Sequence, residues 1–479
     1  MKTENIYFVG IGGIGMSALA RYFMHKGYRV GGYDLTRSHL TDQLEAEGAS
    51  VHYTDDIDSV DRVFLDPERT VVIYTPAVPA DHGELTYFRD HGFEVLKRSQ
   101  VLGLVCEDSY VMAVAGTHGK TTTSTLVAWL NRCLTDGGNA VLGGISKNFG
   151  SNLVLGKGRR MAVEADEFDR SFLRLSPDVA VITSVDPDHL DIYGTYEAVR
   201  EAFSQFVDRI RSGGTLILKA GVDIRLGNPD ITVWRYSLDA EGDFHARSVV
   251  CNPDGCYSFD LVCPDRVIAG CRLGIPGILN VENAVAAVAE EWVASRHEGV
   301  ELDEERLKRG LAEFSGVKRR MEVYVNTPRQ VYIDDYAHHP RELNATITSV
   351  KAMFPGRKLT ALFQPHLYTR TRDLCDGFAE ALSHADEVVL LPIYPAREKP
   401  IEGVDSQMIA RKLTVPYRIV ERDRLVETVS SMDTDIVVSF GAGNIDRCAE
   451  ALAEVAAKKA AADPRSAVPE ADIAAVKLK

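Results

Sequence analysis

Short apolar runs alternate with helical stretches along most of this chain. The N-terminal region contains the runs IYFV, YRVGGY and VVIY, with a helical pattern over 15–26 after the first of them. A second block includes YVMAVA, MAVEA and VAVITSV, and a third includes VYIDDY, KLTALF, EVVLL and DIVVSF. Strand–helix alternation of this kind is typical of parallel sheets with helices on their faces. The pattern therefore predicts an α/β protein with three such blocks.

The alternation is interrupted over 215–275, where TLILKAG, TVWRYS, GCYSFDLV and VIAGCRLGI follow one another between Gly, Asn and Asp residues. This texture predicts an antiparallel insertion in the central domain. The alanine-rich stretch NVENAVAAVAEEWVA then predicts a helix that returns the chain to the α/β pattern. We place the domains at 1–106, 107–318 and 319–458, and expect 459–479 to be a flexible tail because it lacks a periodic apolar face.

Composition narrows the classes of partner. The chain has 479 residues and a net charge of −15, which argues against a nucleic acid or an anionic membrane, because both would be repelled overall. No apolar run approaches the roughly 18–20 residues that span a bilayer. The N-terminal segment MKTENIYFVGIGG shows no cleavable signal pattern. We therefore expect a cytoplasmic protein that binds anionic substrates through local cations and backbone N–H groups.

The chain also contains eight cysteines, four of which fall within 251–271. Zinc ribbons are built on C-x-x-C pairs, and the gaps between these four cysteines contain none. We therefore expect free thiols, in keeping with a reducing compartment.

A first glycine-rich loop closes the N-terminal strand and opens the first helix. It has the pattern Gly10-x-Gly12-x-x-Gly15, and Asp34 ends the next strand about 20 residues downstream. Glycines at these positions allow a tight turn and let a diphosphate approach the free N–H groups of the helix N-terminus. The Asp34 carboxylate is placed to accept hydrogen bonds from a ribose or a base. The loop predicts a diphosphate ligand, and NAD, FAD and a UDP-sugar all remain possible.

A second glycine-rich segment follows the apolar strand 111–115 and precedes the helical stretch TTSTLVAWLNRCL. The common phosphate-binding loop would place its first glycine where this chain has Val114, so the loop is shortened. Its N–H groups can surround phosphate oxygens, its lysine can reach the β and γ groups, and its first threonine can bind Mg²⁺. The segment consists of Gly116, Thr117, His118, Gly119, Lys120, Thr121 and Thr122. Two phosphate loops on one chain predict two phosphorylated ligands.

Acidic residues cluster where two further strands of the central block end. Glu164 ends the strand in MAVEADEFD, with Asp166, Glu167 and Asp169 behind it. The second cluster, in SVDPDHLD, comprises Asp186, Asp188, His189 and Asp191. Ligands of an open parallel sheet lie outside the carboxyl ends of its strands, and so much negative charge at one edge would repel itself without a cation. The clusters therefore predict Mg²⁺ beside Lys120.

The third block contains a further set of polar residues after its strands. Tyr336, His338 and His339 follow VYIDD, and adjacent histidines face apart, so ligand contact or a helix start is expected there rather than a metal pair. Arg370 and Arg372 follow QPHLYT in an expected loop, where guanidinium groups suit a carboxylate or a phosphate.

Taken together, these residues resemble the Mur ligase family, the ATP-dependent amino-acid ligases of peptidoglycan assembly. The matching segments, in family order, are FVGIGGIGMSALA, AGTHGKTTT, EADEFDRSFL, DPDHLD, DDYAHHPRE, FQPHLYTRTRD and LPIYPARE. They extend from residue 8 to about 398 and so cover all three blocks. The shortened loop GTHGKTT is the norm in this family. The resemblance implies a Rossmann-like N-terminal domain, a central P-loop ATPase-like domain with a parallel sheet, and a Rossmann-like C-terminal domain.

The resemblance also implies an activity: ATP and Mg²⁺ would serve to join L-alanine to the lactoyl carboxylate of UDP-N-acetylmuramate through an acyl phosphate. The implied UDP-sugar residues are Gly10, Gly12, Gly13, Gly15, Asp34 and Thr75. The implied ATP residues are those of the segment from Gly116 to Thr122, with Asn283, Arg320 and Asp335. The implied metal ligands are Thr121, Glu164 and His189, and the implied catalytic groups are Lys120, His189 and Glu164. Tyr336, His338, Arg370 and Arg372 would bind the muramoyl and alanine groups.

Two departures from the family pattern matter. Several sister ligases have a carbamylated lysine in the helix after the DHxD motif, where YEAVREAFSQF has none and Phe203 lies near that place, as expected of the alanine-adding branch. Leu367 stands where an Arg is expected from many relatives, so one anionic contact of the family pattern is not carried over to this chain.

Several rivals remain: a recycling ligase that attaches a preformed tripeptide to the same sugar, an NAD-dependent oxidoreductase with a nucleotide switch, and a non-catalytic UDP-sugar sensor. The folate-polyglutamate branch shares GTxGKT but lacks an N-terminal nucleotide-sugar domain, so the first glycine-rich loop argues against it. For the assembly we expect a monomer or a weak homodimer.

Overall fold

The computed structural model describes residues 3–187, 190–239, 242–396 and 398–462, apart from the side chains of Leu190 and Asp191. The chain divides into two compact units. The first comprises Met1–Val250, Tyr257–Ile275 and Leu279–Val317, and the second comprises Cys251–Cys256, Pro276–Ile278 and Lys318–Lys479. Within the described ranges, every helix is too short or too polar to cross a bilayer.

The N-terminal part of the first unit contains a five-stranded sheet. Its strands are β1 (Asn5–Val9), β2 (Arg29–Tyr33), β3 (Ser50–His52), β4 (Thr70–Tyr74) and β5 (Glu94–Lys97), and its helices are α1 (Ile14–His25), α2 (His39–Glu47), α3 (Gly83–Asp90) and α4 (Arg98–Cys106). All pairs are parallel, in the order β3–β2–β1–β4–β5. Strand β1, apolar except for Asn5, is central and buried. Its carboxyl end, where the first glycine loop begins, is therefore the point at which the strand order reverses.

A second, seven-stranded sheet follows in the first unit. Its strands are β6 (Tyr110–Ala115), β7 (Asn139–Ser146), β8 (Ser151–Val154), β9 (Arg160–Glu164), β10 (Val179–Ile182), β11 (Thr215–Lys219) and β12 (Thr232–Tyr236), and its helices are α5 (Lys120–Leu134), α6 (Leu190–Tyr193) and α7 (Tyr196–Val207). The order is β12–β11–β10–β6–β9–β7–β8. Only β8 is antiparallel to its neighbour among these strands. Because β6 lies between β9 and β10, the phosphate loop and both acidic segments share one sheet edge.

The insertion is smaller than the sequence pattern predicts. It consists of β13 (His245–Cys251), β14 (Cys256–Cys263) and β15 (Arg266–Pro276), which form a separate sheet in that order. Their short links permit only antiparallel neighbours. The prediction that the insertion begins at residue 215 is wrong, because β11 and β12 are parallel members of the central sheet. The link 220–231 between them contains no helix, so their sequence resembles a meander.

Two helices, α8 (Ile278–His297) and α9 (Glu304–Glu313), complete this part of the chain. The predicted alanine-rich helix is therefore confirmed as α8, whose central residues are almost all buried.

The second unit contains a six-stranded sheet. Its strands are β16 (Glu322–Asn326), β17 (Val331–Asp335), β18 (Leu359–Phe363), β19 (Glu387–Leu390), β20 (Tyr417–Ile419) and β21 (Ile436–Phe440). Its helices are α10 (Pro340–Met353), α11 (Tyr368–Asp373), α12 (Cys375–Leu382), α13 (Ser406–Ala410), α14 (Leu425–Ser431) and α15 (Ala449–Ala461). The order is β16–β17–β21–β18–β19–β20, with only the β16–β17 pair antiparallel among these strands. The α/β class and the three strand–helix blocks expected from the pattern are confirmed, with one large sheet in each block.

Helix α15 continues past the predicted start of the tail at residue 459. Lys459 Nζ donates to Val429 O at 2.7 Å and to Met432 O at 2.6 Å. This lysine therefore belongs to the packed domain, and the rest of the predicted tail, 463–479, lies outside the described residues.

Candidate active site

The first glycine loop is shaped by contacts that exclude side chains. Gly10 has φ +89, and a Cβ there would lie 2.7 Å from Thr75 Cγ2. A Cβ on Gly12 would lie 2.9 Å from Asp34 Oδ2, which accepts a hydrogen bond from Gly12 N at 2.8 Å. Gly13 is the N-cap of α1 and makes no side-chain cap bond. The structure thus brings these predicted residues together, with the free N–H groups of α1 available to an anion.

Asp34 supports the loop itself. Its Oδ2 accepts from Gly12 N, and its Oδ1 accepts from Thr36 N at 3.1 Å. Burial raises the pKa of Asp34, and the backbone N–H donors oppose that shift. The carboxylate therefore fixes the turn, a role that the sequence pattern alone did not reveal.

Arg98, which the sequence did not single out, lies against the same loop. Its Nη1 would be 2.6 Å from a Cβ on Gly15. It is the first residue of α4, directly after β5. A guanidinium group is therefore present beside a loop that has no cation of its own.

The second glycine loop is fixed from the neighbouring strand β10. Gly116 has φ +132, and a Cβ there would lie 2.0 Å from Thr183 Oγ1. The Thr183 hydroxyl is 3.2 Å from Ala115 O and 2.5 Å from His118 O, both within hydrogen-bonding distance. His118 N donates to Ser184 Oγ at 3.0 Å. Residues just past β10 therefore shape this loop, although no motif identified Thr183 or Ser184 beforehand.

Lys120 begins α5 and turns back over the loop. Its Nζ donates to Gly116 O at 2.6 Å and forms an ion pair with Glu167 Oε2 at 2.8 Å. The side chains of Lys120 and Glu167 are 13% and 2% exposed. A buried pair of this kind holds the ammonium group at one place above the loop.

Electrostatics keep this lysine charged. Burial lowers the pKa of Lys120, but the carboxylates of Glu167, Asp166 and Glu164 outweigh burial, so the pKa is raised overall. Burial raises the pKa of Glu167, and the Lys120 ammonium opposes that shift. The site therefore contains a fixed positive charge above the second glycine loop.

Two of the predicted metal ligands, Glu164 and Thr121, lie against adjacent glycines of β7. Glu164 ends β9, and its Oε2 lies 2.2 Å from the position of a Cβ on Gly143 in β7. Thr121 Cγ2 lies 3.0 Å from the corresponding position on Gly144. Across the residues that the structure describes, no three His, Cys, Asp or Glu side chains form a metal site by themselves. Magnesium commonly uses one or two protein oxygens, with phosphates and waters as the other ligands.

The third predicted metal ligand, His189, lies outside the described residues, as does Asp188. The same strand end nevertheless presents Asp186, whose Oδ2 lies 3.5 Å from His118 Nε2. Asp186 N donates to Thr117 Oγ1 at 2.7 Å. The second acidic segment therefore does contact the phosphate loop.

Asn283 also lies at this loop. Its Oδ1 is 2.8 Å from the position of a Cβ on Gly119, which is the N-cap of α5 and has φ +82. Its Nδ2 donates to Asn280 Oδ1 at 3.1 Å. The remaining predicted residue of the segment, Thr122, lies in the first turn of α5.

The second unit contains a separate polar cluster at the end of β17. Asp335 Oδ2 accepts from Met321 N and its Oδ1 accepts from Ala337 N, both at 2.8 Å. Burial raises the pKa of Asp335 to about 6, with Arg320 opposing the shift. Arg320 Cζ lies 5.2 Å from the centroid of the Tyr336 ring. The structure thus groups three of the predicted residues.

His338 extends this cluster. Its Nδ1 lies 3.1 Å from Tyr336 O, and its ring centroid is 6.1 Å from that of His366. Arg370 Nη1 lies 3.4 Å from His366 Nδ1, and the His366 ring stacks on Tyr394 at 5.8 Å. Burial lowers the pKa of His338 to about 4. Neither His366 nor Tyr394 was among the predicted residues, although both belong to matching segments, QPHLYT and LPIYPARE.

The two predicted arginines are separated by the local structure. The expected loop is wrong, because residues Tyr368–Asp373 form α11. Residues two apart in a helix do not face each other. Arg370 accordingly lies at His366, whereas Arg372 Nε pairs with Asp373 Oδ1 at 2.7 Å and is 49% exposed.

Helix α10 clarifies the adjacent histidines. His339 is its N-cap, with Pro340 in the first turn and a capping box completed by Glu342. The expected helix start is therefore confirmed for His339.

Leu367, the residue that departs from the family pattern, is buried at the N-cap of α11 with φ +69. That backbone conformation is uncommon for residues other than glycine.

Three family models match the chain in sequence. They are the Mur ligase family catalytic domain over residues 5–110, the Mur ligase middle domain over 114–290, and the Mur ligase glutamate ligase domain over 319–443. The matched ranges together cover most of the chain and follow the order of the three sheets.

Named relatives agree with these models. A UDP-N-acetylmuramate–L-alanine ligase of Parabacteroides distasonis is 50% identical over 463 residues, covering 96% of this chain and 98% of the relative. The enzyme of the same name from Porphyromonas gingivalis is 49% identical over 450 residues, covering 93% and 97%. The crystal structure of the UDP-N-acetylmuramate–alanine ligase of Thermotoga maritima matches with a TM-score of 0.79 and 28% identity, covering 94% and 98%. The resemblance drawn from the motifs is confirmed, and this chain belongs to the Mur ligase family.

Proposed function

We propose that this chain is an ATP-dependent ligase that joins L-alanine to the lactoyl carboxylate of UDP-N-acetylmuramate, the first stem-peptide step of peptidoglycan biosynthesis. The observation that supports this most is the 50% identity, over 96% of the chain, to a relative named for that reaction. Two phosphate loops within one compact unit, with different sources of positive charge, suit a sugar nucleotide and a triphosphate.

The carboxylate is first converted into a better electrophile. One of its oxygens attacks the γ-phosphorus of ATP, the bond from that phosphorus to the β-γ bridging oxygen breaks, and an acyl phosphate and ADP result. Both reactants are anions, so the transfer needs positive charge at the γ-phosphate. Lys120, held by Glu167 at 2.8 Å, supplies that charge from a fixed position.

Thr121 and Glu164 would hold Mg²⁺ together with the nucleotide phosphates, and His189 stays a predicted third ligand. Bound there, the ion would neutralise charge on the transferring group. The backbone N–H groups of Gly116–Lys120 would surround the phosphate oxygens, in a turn that Thr183 keeps in place.

In the second half-reaction, the neutral amine of alanine attacks the acyl carbon, and the bond from that carbon to the phosphate oxygen breaks. The nitrogen loses one proton, which balances the phosphate released as HPO₄²⁻. His338 is neutral near pH 7, since its pKa is about 4, so its imidazole can accept a hydrogen bond from the amine. Arg370 suits the carboxylate of alanine, and the Tyr336 ring lies 5.3 Å from that of His338. The roles of Arg320 and Asp335 toward ATP remain predictions, as does that of Arg372, which lies at the surface paired with Asp373.

The sugar nucleotide would bind at the first loop, with its diphosphate at the N-terminus of α1. Gly10, Gly12, Gly13 and Gly15 provide the close approach. Thr75 and Asp34 lie on either side of the turn. We expect the enzyme to act in the cytoplasm, where its substrates are available, as a monomer or a weak homodimer.

The decisive experiment measures ADP release by purified protein with UDP-N-acetylmuramate, Mg·ATP and one amino acid at a time. Release that requires L-alanine, together with a product heavier than the sugar nucleotide by one alanyl residue, supports the proposal. Release that requires the preformed tripeptide would instead identify the recycling ligase. ATP turnover without a covalent product would indicate a sensor, and a change in reduced-nicotinamide absorbance would indicate an oxidoreductase.

A further inference from the structure

Two basic residues of the N-terminal domain contact the loop that positions Lys120. We call residues 166–170 the acidic loop. Arg98 Nη2 lies 3.4 Å from Asp166 Oδ2, and Lys97 Nζ lies 3.0 Å from Asp169 Oδ2. Glu167 of the same loop forms the ion pair with Lys120. Two ion pairs joined by the backbone of the acidic loop therefore connect α4 with Lys120.

The other end of this connection is the first glycine loop. The Arg98 guanidinium covers Gly15, where a Cβ would lie 2.6 Å from Nη1. Its side chain is 18% exposed, so the group is largely fixed in place. A guanidinium has five N–H donors in a planar fork and can bind two anions at once. A diphosphate at the N-terminus of α1 and the carboxylate of Asp166 are two such anions.

The acidic loop depends on its neighbours for its conformation. Asp169 and Arg170 both have φ +53, the left-handed region, which costs roughly 1–2 kcal/mol for each residue. Such a conformation persists only where surrounding contacts determine it. The Lys97 pair and the hydrogen bond from Tyr193 Oη to Glu167 O, at 2.6 Å, are contacts of that kind. Changes at Arg98 or Lys97 should therefore reach Glu167.

We propose that Arg98, through Asp166, couples binding of the sugar nucleotide to binding of ATP. Arg98 binds the diphosphate, and the bound diphosphate holds the guanidinium in place. The guanidinium in turn fixes the acidic loop through Asp166, so that Glu167 positions Lys120 for the triphosphate. Lys97 supports the same loop through Asp169. Arg98 thus binds substrate directly, and Asp166 is a positioning residue for Lys120. The inference rests on the proposed function, because it takes the two nucleotides as the ligands of the two loops.

Coupling between binding sites is reciprocal. If the sugar nucleotide increases the affinity for ATP by some factor, ATP increases the affinity for the sugar nucleotide by the same factor. Typical couplings are about 5- to 150-fold. Removing the charge of Asp166 should abolish this factor and leave binding of the sugar nucleotide alone nearly unchanged. An effect confined to one ligand would not have this reciprocal form.

The test uses calorimetry without alanine. The Kd of a non-hydrolysable ATP analogue with Mg²⁺ is measured with and without saturating UDP-N-acetylmuramate. In the wild-type chain we expect the Kd to fall about fivefold or more when the sugar nucleotide is present. In Asp166→Asn the fall should be less than about twofold. The asparagine keeps the acceptor oxygen for Phe168 N, now 3.1 Å from Asp166 Oδ1, so the local turn is retained.

Two further variants and a control sharpen the result. Asp166→Glu keeps the negative charge and should keep most of the coupling. Arg98→Lys keeps a positive charge but lacks the planar guanidinium that can bind two anions, so it should lose the coupling. Asp223→Asn breaks a surface ion pair of the same unit, with Arg200, and should couple like the wild type.

Wild-type protein that binds both nucleotides independently, or Asp166→Asn with full coupling, would overturn the inference. Failure of the proposed function is distinguishable, because the wild type would then show no alanine-dependent ADP release.

Discussion

The two glycine-rich loops share a construction and differ in where their positive charge comes from. Each follows a buried strand, begins with a glycine of positive φ, and leads into a helix whose N-cap makes no side-chain bond. The second loop contains its own cation, Lys120, paired with the buried Glu167. The first loop has none, and the cation beside it, Arg98, comes from another helix.

This difference matches the chemistry proposed for each ligand. A diphosphate that is only bound needs N–H donors and a neighbouring cation. A phosphoryl group that is transferred needs a charge fixed in position before the reaction, because preorganisation lowers the barrier. A lysine on the loop, locked by a buried carboxylate, provides this. The loops should therefore respond differently to the same kinds of substitution.

The largest expected effect is at the second loop. Lys120→Ala should lower kcat by about 10²–10³, or about 3–4 kcal/mol, because the transferred group loses its fixed charge. ADP release at saturating substrates measures this change. Binding of UDP-N-acetylmuramate alone, by calorimetry, should change little.

A matched control for that variant is Lys157→Ala, which removes an exposed lysine of the same domain. Near-wild-type ADP release by Lys120→Ala would contradict the assigned role and remove the contrast between the loops.

Two buried carboxylates of the first unit, Glu84 and Glu167, should differ in their effect on stability. Glu84, in α3 beside the first sheet, is fully buried and accepts from Tyr7 Oη at 2.6 Å. Burial raises its pKa from 4.5 to about 7. A carboxyl whose pKa is raised on folding stabilises the fold below its unfolded pKa, and this stabilisation is lost as pH rises from about 4.5 to about 7. As pH rises through that window, the free energy of unfolding of Glu84→Gln should therefore rise relative to that of the wild type by up to about 3 kcal/mol.

Unfolding of both proteins at pH 5 and pH 8 measures the shift. Glu167→Gln is the contrasting variant, since it leaves Lys120 without its partner and should destabilise the fold at both pH values. Parallel pH dependence of the wild type and Glu84→Gln would show that Glu84 does not titrate in this range.

A smaller effect is expected from Gly15→Ala in the first loop. The added Cβ would lie 2.6 Å from Arg98 Nη1 and should displace the guanidinium. The KM for UDP-N-acetylmuramate should rise about tenfold, or about 1.4 kcal/mol, while kcat stays within about twofold. Initial rates at varied sugar nucleotide measure both constants. An unchanged KM would mean that Arg98 does not contribute to the first site.

The smallest expected effect is Thr183→Val. This change removes a hydroxyl within hydrogen-bonding distance of Ala115 O and His118 O. Its one hydrogen can donate to one of these carbonyls at a time, and such a bond contributes about 1 kcal/mol. The KM for ATP should rise about fivefold, and the KM for UDP-N-acetylmuramate should not. Thr183→Ser retains the hydroxyl and should resemble the wild type. Equal changes in both KM values would mean that the loops are not shaped independently.

Much of the fold and the family could be predicted from the sequence, because local rules determine them. Glycine positions, the lysine after Gly119 and the apolar strands before each loop are local signals, and the α/β class and the family were confirmed. The start of the insertion was wrong because β11 and β12 join without a helix. The pattern of turns in that segment is the same for a meander and for a helix-free crossover.

Contacts between residues that are distant in sequence could not be predicted from the sequence. Arg98 lies beside Gly15, and Thr183 beside Gly116, only because distant strands pair in the observed order. Arg372 was expected to lie with Arg370, but the short helix α11 separates them. The role of Glu167 was visible only as one acid among several. The spacing of glycine and lysine residues along the chain identifies the type of loop. The side chains that contact each loop depend on which strands are neighbours in the sheet.

The adjacent glycines of β7 have an implication for how this enzyme can vary. Gly143 and Gly144 leave room for Glu164 and Thr121, the two predicted magnesium ligands. A side chain on Gly143 would collide with Glu164, and one on Gly144 would crowd Thr121. Directed-evolution libraries should keep both codons fixed. Strand β7 should therefore tolerate as little substitution at these two positions as the second glycine loop does at its glycines.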